Sequence, residues 1–229
     1  MARRNPLSRE RVLRAALDLV DEEGVEALTM RRLGRELGVE AMSLYGYVDS
    51  KEDLIEGVVE QIFREMPLIV PGQGKWQDRV RAHAAIYRKV LIDHPNVVRL
   101  MAARPLETEG IAAFVDSALA LLRSAGLDLR TAYRLLGVIA SFAQGMVSEQ
   151  VGSQTRAREK TSRRTKRAPL DGQRFPYLAA ALTMDPTDYD RDFEVGMDFI
   201  IAGIERMVAE APPPPVDERD VAGYRKIIG

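Results

Sequence analysis

Side chains able to do acid–base, nucleophilic or metal chemistry are few in this chain and poorly spaced for it. The two histidines, His83 and His94, stand eleven positions apart, which is no metal-binding spacing. Cysteine is absent, so thiol catalysis, disulfides and cysteine-ligated metals are excluded. There is no H-E-x-x-H, no phosphate-cradling glycine loop and no G-x-S-x-G. The runs Asp21-Glu22-Glu23 and Asp188-Tyr189-Asp190 have the composition of solvated helix edges. No catalytic residue, metal site or cofactor is expected, and the chain does not read as an enzyme. A different chemistry is available in Met42, Ser43, Tyr45, Gly46 and Tyr47, which remain once Leu44 and Val48 are assigned to a buried face. Hydroxyls, aromatic edges and a thioether read groove edges and hold phosphates rather than break bonds.

The elements that must position this stretch are legible around it. Ser8 predicts the cap of a first helix, with Val12, Leu13, Ala16, Leu17, Leu19 and Val20 at three- and four-residue intervals. Gly24 predicts its end. Thr29 caps a short second helix with Leu33 and Leu37 inside and Arg31, Arg32 and Arg35 largely outside, closed by Gly38. A third short helical stretch covers 41–48. Ser50 and Asp53 have the spacing of a capping box that opens a longer helix to about Met66. Two short helices joined by a tight glycine-containing turn make a helix-turn-helix, pinned here by Leu33, Leu37, Val39, Leu44 and Val48. Residues 1–66 are therefore expected to be one domain, and the proline- and glycine-rich step 67–74 leads into a second, 67–229.

Beyond the step the periodicity stays helical, near Trp76–Asp93, Asn96–Ala103, Glu107–Ser124, Leu129–Gly152 and Asp188–Glu210. No segment alternates with period two, so the fold class is all-α. The segment 155–174 is rich in arginine and lysine with little to bury, and predicts a mobile basic loop; a specific nucleic-acid contact is the alternative. The tail, 212–229, begins with four prolines and is expected to be extended.

The net charge is −1, with 46% hydrophobic and 29% charged residues among 229, the balance of an ordinary globular protein. Arg3, Arg4, Arg9, Arg11 and Arg14 nevertheless face the single acid Glu10, a local basic arm able to reach phosphates, or simply to solubilise the terminus. No apolar run approaches the ~18 residues needed to span a bilayer, and residues 1–6 lack the apolar stretch of a secretory signal, so no membrane partner and a cytoplasmic location are expected.

Thr29-Met30-Arg31-Arg32-Leu33-Gly34-Arg35-Glu36-Leu37-Gly38-Val39, then Ser43-Leu44-Tyr45, then Ser50-Lys51-Glu52-Asp53-Leu54, resembles the signature of the tetracycline-repressor family. The likeness continues through Trp76-Gln77-Asp78, His94, Arg104-Pro105, Gln144-Gly145 and Phe193-Glu194-Val195-Gly196-Met197-Asp198 into the C-terminal domain of the tetracycline repressors. The resemblance implies a bacterial homodimer that binds double-stranded operator DNA and carries a small-molecule effector pocket in each C-terminal domain. It places Thr29 and Arg31 against the operator, Ala41, Met42, Ser43, Tyr45, Gly46 and Tyr47 on the recognition helix, and Lys51 at the next helix start. Arg31 can pair bidentately with guanine, Met42 can touch a thymine methyl, and Thr29, Tyr45, Tyr47 and Lys51 suit phosphates. Gly46 and Tyr47 depart from the larger side chain and the histidine usual there, which alters the operator that is read.

By the same resemblance, His83 and Tyr87, one helical turn apart, are effector-pocket candidates; a satisfied core histidine and a packed tyrosine are the structural alternative. Leu100, Met101, Phe114 and Met146 are candidate apolar walls, equally at home in a core. Tetracycline repressors hold the drug's magnesium with a histidine shortly before the Arg-Pro pair. Leu100 and Met101 stand there instead and cannot replace it, so tetracycline itself is not expected. Phe193, Met197, Ile200, Ile201, Ile204 and Met207 form one apolar stripe, with Gly196 and Gly203 seven apart, and Leu135, Leu136, Ile139, Phe142 and Met146 a second. The resemblance implies that they pair with two-fold copies in a four-helix interface, with burial inside one subunit the alternative.

Overall fold

The computed structural model describes residues 6–69, 71–72, 74–96, 108–162, 171–183 and 188–210. Among them the regular structure is helical, with no strand. Helix α1 (Arg9–Glu23) starts where Ser8 Oγ accepts the Arg11 amide at 3.2 Å and stops at Gly24, whose φ of 86° costs a residue without Cβ little. A 3₁₀ turn, Val25–Ala27, leads to α2 (Met30–Leu37), capped by Thr29 and closed by Gly38 in the left-handed conformation.

The turn from α2 to α3 (Ala41–Leu44) is tight because Gly34 lacks a side chain. A Cβ there would lie 2.8 Å from the Val39 carbonyl oxygen and 3.2 Å from the Ala41 amide nitrogen. The Val39 amide instead donates to the Gly34 carbonyl at 2.9 Å, locking the two helices together. The recognition stretch is shorter than the helix expected over 41–48. It is α-helical for four residues and continues as turns, coiled by bonds from the Tyr47 and Val48 amides to the Leu44 carbonyl. Gly46, which costs about 1 kcal/mol against alanine in a helix, lies where the helix gives out. Leu33, Leu44, Leu54 and Val48 are buried beneath it as the pattern requires.

Helix α4 (Lys51–Glu65) leaves this head and runs into the body, where it packs on α6 (Glu109–Ser124). Helix α5 (Trp76–Asp93) lies against α6 and against α7 (Leu129–Ser162), and α7 meets α9 (Tyr189–Glu210). A short α8 (Pro176–Ala181) sits between them in sequence. The step before α5 is clamped by Arg79, which donates to the carbonyls of Gly72 and Gly74 at 2.7 and 3.1 Å. Buried apolar side chains form one continuous core through both halves.

Two further expectations change. Helix α7 continues to Ser162, into the segment read as a mobile loop from 155. Arg, Ala, Glu and Lys are good helix formers and need no buried stripe to prolong an established helix. Residues 163–170 lie outside the described residues, as do most of the helix expected over Asn96–Ala103 and the tail 212–229. Helix α6 begins two residues later than expected, because Thr108 rather than an earlier residue supplies its cap.

Replacing Gly34 by alanine forces a methyl against backbone rather than against a yielding side chain. The expected loss is about 1–3 kcal/mol of stability in the N-terminal half, read as a fall in Tm of the intact protein.

Candidate nucleic-acid interface and interior ligand site

The recognition side chains stand clear of the body. Met42 is 77% exposed and Tyr45 45%, and Arg31, Ser43, Gly46 and Lys51 are exposed as well. Ala41 and Tyr47 are half-buried, and the Tyr47 ring packs against the core beneath. Thr29 is exposed, but its Oγ accepts the Arg32 amide at 3.1 Å. Arg31 and Lys51 sit in the first turns of α2 and α4, whose free amides and dipoles favour an anion. A surface so built can take phosphates at the two helix starts and base edges between them.

Arg9, counted in sequence with a diffuse basic arm, is a structural tie. Its guanidinium forms a fork on Asp53, 2.9 Å to Oδ2 and 2.6 Å to Oδ1, and donates to the Tyr47 carbonyl at 2.8 Å. Asp53 Oδ2 also accepts the Asp49 amide at 2.9 Å, so the carboxylate serves Asp49 rather than the Ser50 amide of an ideal capping box. Arg9 holds the Asp53 carboxyl below the usual carboxylate range, against a smaller upward push from burial. One ion pair thereby fixes the end of the recognition stretch to α1 and α4. Arg14 is paired with Glu65, and Arg32 with Glu23 and Glu36. Arg3 and Arg4 lie outside the described residues. The Arg9 tie was not visible in the sequence, since nothing local links positions 9 and 53.

The second candidate site is interior. His83 is buried on α5, with Nε2 3.0 Å from Ser117 Oγ and 3.2 Å from the Phe114 carbonyl. Ser117 spends its own proton on that carbonyl at 2.8 Å, so Nε2–H is the donor and Nδ1 remains an acceptor. Burial, only partly opposed by the bond to Phe114, lowers the His83 pKa to about 4, and the ring is neutral near pH 7. The Phe114 ring centroid lies 4.0 Å from that of His83 and 6.1 Å from that of Tyr87. Tyr87 accepts a bond from Gln144 at 2.7 Å, and burial raises its pKa. Phe63 of α4 meets Phe114 edge-on at 5.7 Å. His83, Tyr87 and Phe114 are thus brought together, with Ser117 and Gln144 as partners that sequence reasoning had not placed there. Met146 is half-buried against the core, while Leu100 and Met101 lie outside the described residues.

The proposed interface stripe turns inward. Phe193, Met197, Ile201 and Ile204 of α9 and Ile139 of α7 are buried within the chain, and Leu135, Phe142 and Ile200 are half-buried on the same core. Gly196 explains why. A Cβ there would collide with the Cζ edge of the Phe142 ring, which stacks on Phe193 at 5.4 Å. Its close approach serves α7 of the same chain, whereas Gly203 faces open space. The guanidinium of Arg88, buried beside this stack, sits 5.0 Å over Phe193 and bonds Asp190 and Gln150. The other side of α9 carries Val195 and Phe199, the latter 77% exposed, Met207 is exposed at the edge of the inward stripe, and α7 exposes Tyr133 and Val138. A helix apolar on both sides hides from periodicity which side is internal. On α8, Tyr177 is 90% exposed, with Leu178 and Leu182 also outside.

Residues 12–58 match the family described as bacterial regulatory proteins, tetR family, and residues 67–208 match the tetracyclin repressor-like C-terminal domain. An HTH-type transcriptional regulator of Saccharopolyspora erythraea is 30% identical over 86% of this chain and 84% of its own length. The class D tetracycline repressor of Escherichia coli is 30% identical over 87% of this chain and 89% of its own. Among solved structures, ActR of Streptomyces coelicolor in complex with actinorhodin superposes with a TM-score of 0.73 at 27% identity, covering 90% of this chain and 100% of that one.

The buried neutral histidine sets a pH dependence. Its folded pKa of about 4 lies below the ordinary 6.5, so the unfolded chain binds the proton first and stability falls as pH drops through that window. Urea titrations between pH 7 and 4 are expected to show the native protein losing about 3 kcal/mol more than His83→Gln, with no further difference below pH 4.

Proposed function

Because the chain belongs to the TetR family of bacterial regulatory proteins, and is a DNA-binding transcriptional regulator rather than an enzyme, we propose that it is a repressor released from a palindromic operator by a small molecule. The observation that carries the reading is the exposed set Arg31, Met42, Ser43 and Tyr45 around a turn anchored from beneath by the buried Leu33, Leu37, Leu44 and Val48. Two copies related by a two-fold axis would set two such heads in successive major grooves about 34 Å apart. The exposed apolar face of α9 and α7, centred on Phe199 and Val138, is the surface that a second copy would cover. The outward apolar side chains of α8 would find their partners on that copy as well. We assign the effector to the buried cluster of His83, Tyr87 and Phe114, where a neutral imidazole, a protonated phenol and a phenyl ring packed on one another would favour an uncharged, largely aromatic molecule that parts them. ActR, which is similar over most of the chain, is known with actinorhodin bound. We place this work in the cytoplasm, with the chromosome it regulates; no single helix among the described residues is long and apolar enough to cross a membrane.

A duplex selected from a random-sequence library by the native protein provides the test. Arg31→Ala is expected to weaken binding by about 1–3 kcal/mol per half-site and to relax base preference at one position. Tyr45→Ala is expected to weaken it evenly across sequences. Retained affinity in both variants would remove the reading head from the argument. In sedimentation experiments Phe199→Glu is expected to shift the protein to single chains and to abolish tight operator binding; an unchanged dimer would move the interface elsewhere.

A further inference from the structure

Helix α6 touches both halves of the molecule, and its first turn does so through a charge. The Glu60 carboxylate of α4 accepts the Gly110 amide at 2.7 Å and also bonds the Thr108 side chain. Arg64, one turn further along α4, lies 3.1 Å from Glu60 and 3.2 Å from Glu109. Gly110 admits this approach. A Cβ would stand 2.8 Å from Glu60 Oε2, 3.0 Å from the Arg64 amide nitrogen and 3.1 Å from the Glu60 carbonyl. Burial pushes the Glu60 carboxyl up, but the bonds from Thr108, Gly110 and Arg64 prevail and hold it below its ordinary value. It is an anion seated on the N-terminus of α6.

The same helix, one turn on, presents the Phe114 carbonyl and Ser117 to His83, and the Phe114 ring to Phe63 of α4. Apolar contacts such as Phe63 on Phe114 are non-directional and let helices slide. A charge-assisted hydrogen bond fixes position along the axis. We infer that Glu60 is the positioning residue that ties the axial setting of α6, and so the interior site, to the helix that leaves the recognition turn. The inference rests on the two-site reading above. Coupling of two sites is reciprocal, so operator binding must be felt at α6 even when no effector is named.

The experiment is amide hydrogen exchange on the full chain, with and without the duplex that the native protein selects from a random library. In the native protein the duplex slows exchange at Gly110 to Phe114 by about fivefold or more, the lower end of ordinary site–site coupling. Glu60→Ala binds the duplex within about twofold of native, as substitutions without shared partners do, but the slowing at α6 disappears. Glu60→Gln, which keeps an acceptor of the same length, restores it. Should Glu60→Ala not fold, Glu60→Asp, one methylene short of Gly110, takes its place with the same expected loss. Native-like slowing in the shortened variant, or a native protein that binds the duplex without any change at α6, overturns the inference. A native chain that selects no duplex overturns the DNA-binding reading itself, and the inference with it.

Discussion

The close approach at Gly34 is the constraint on which the rest depends. A helix residue with no Cβ lets the chain turn back at Val39 close enough for an amide of the turn to bond the helix it has just left. That contact sets the angle between α2 and α3. Only then can Leu33, Leu44 and Val48 share one core while Met42 and Tyr45 point away from it. Specific groove readout requires side chains placed to within a fraction of an ångström on a frame that does not yield. The frame here is backbone on backbone.

Charge is distributed to suit the same purpose. Much of the basic character of the N-terminal half is spent internally, Arg9 on Asp53, Arg14 on Glu65 and Arg32 on Glu23 and Glu36. These exposed pairs contribute little stability each, but they define geometry. The cations at the starts of α2 and α4, Arg31 and Lys51, are left beside helix N-termini, where phosphate oxygens are already favoured. A protein of near-zero net charge can therefore present a locally cationic surface, and its sum of charges says little about its ligand.

What could be read from the sequence was what depends on neighbours in sequence. The caps at Ser8, Thr29 and Ser50, the glycine stops at Gly24 and Gly38, and the buried rows of α1, α2 and α4 all follow from local chemistry and a 3.6-residue period. What escaped was set by distant partners. The Arg9–Asp53 fork joins positions 44 apart, and the Glu60–Gly110 bond joins positions 50 apart. The inward turn of Phe193 and Met197 was equally hidden, because α9 offers apolar side chains in two directions and only the packed body decides between them. The length of α7 escaped for the opposite reason. Its final turns lack an apolar stripe, and intrinsic propensity alone carries them.

The missing side chain at Gly196 has an indirect reach. By admitting the ring of Phe142 it sets the rotational phase of α9, much as a notch indexes a shaft. With Phe193 and Met197 keyed inward at that phase, Phe199 is obliged to point outward. A methyl at 196 would not touch whatever covers the outer face, yet by turning the shaft it would change what that face displays. The surface pattern of this helix is thus dictated from inside the molecule.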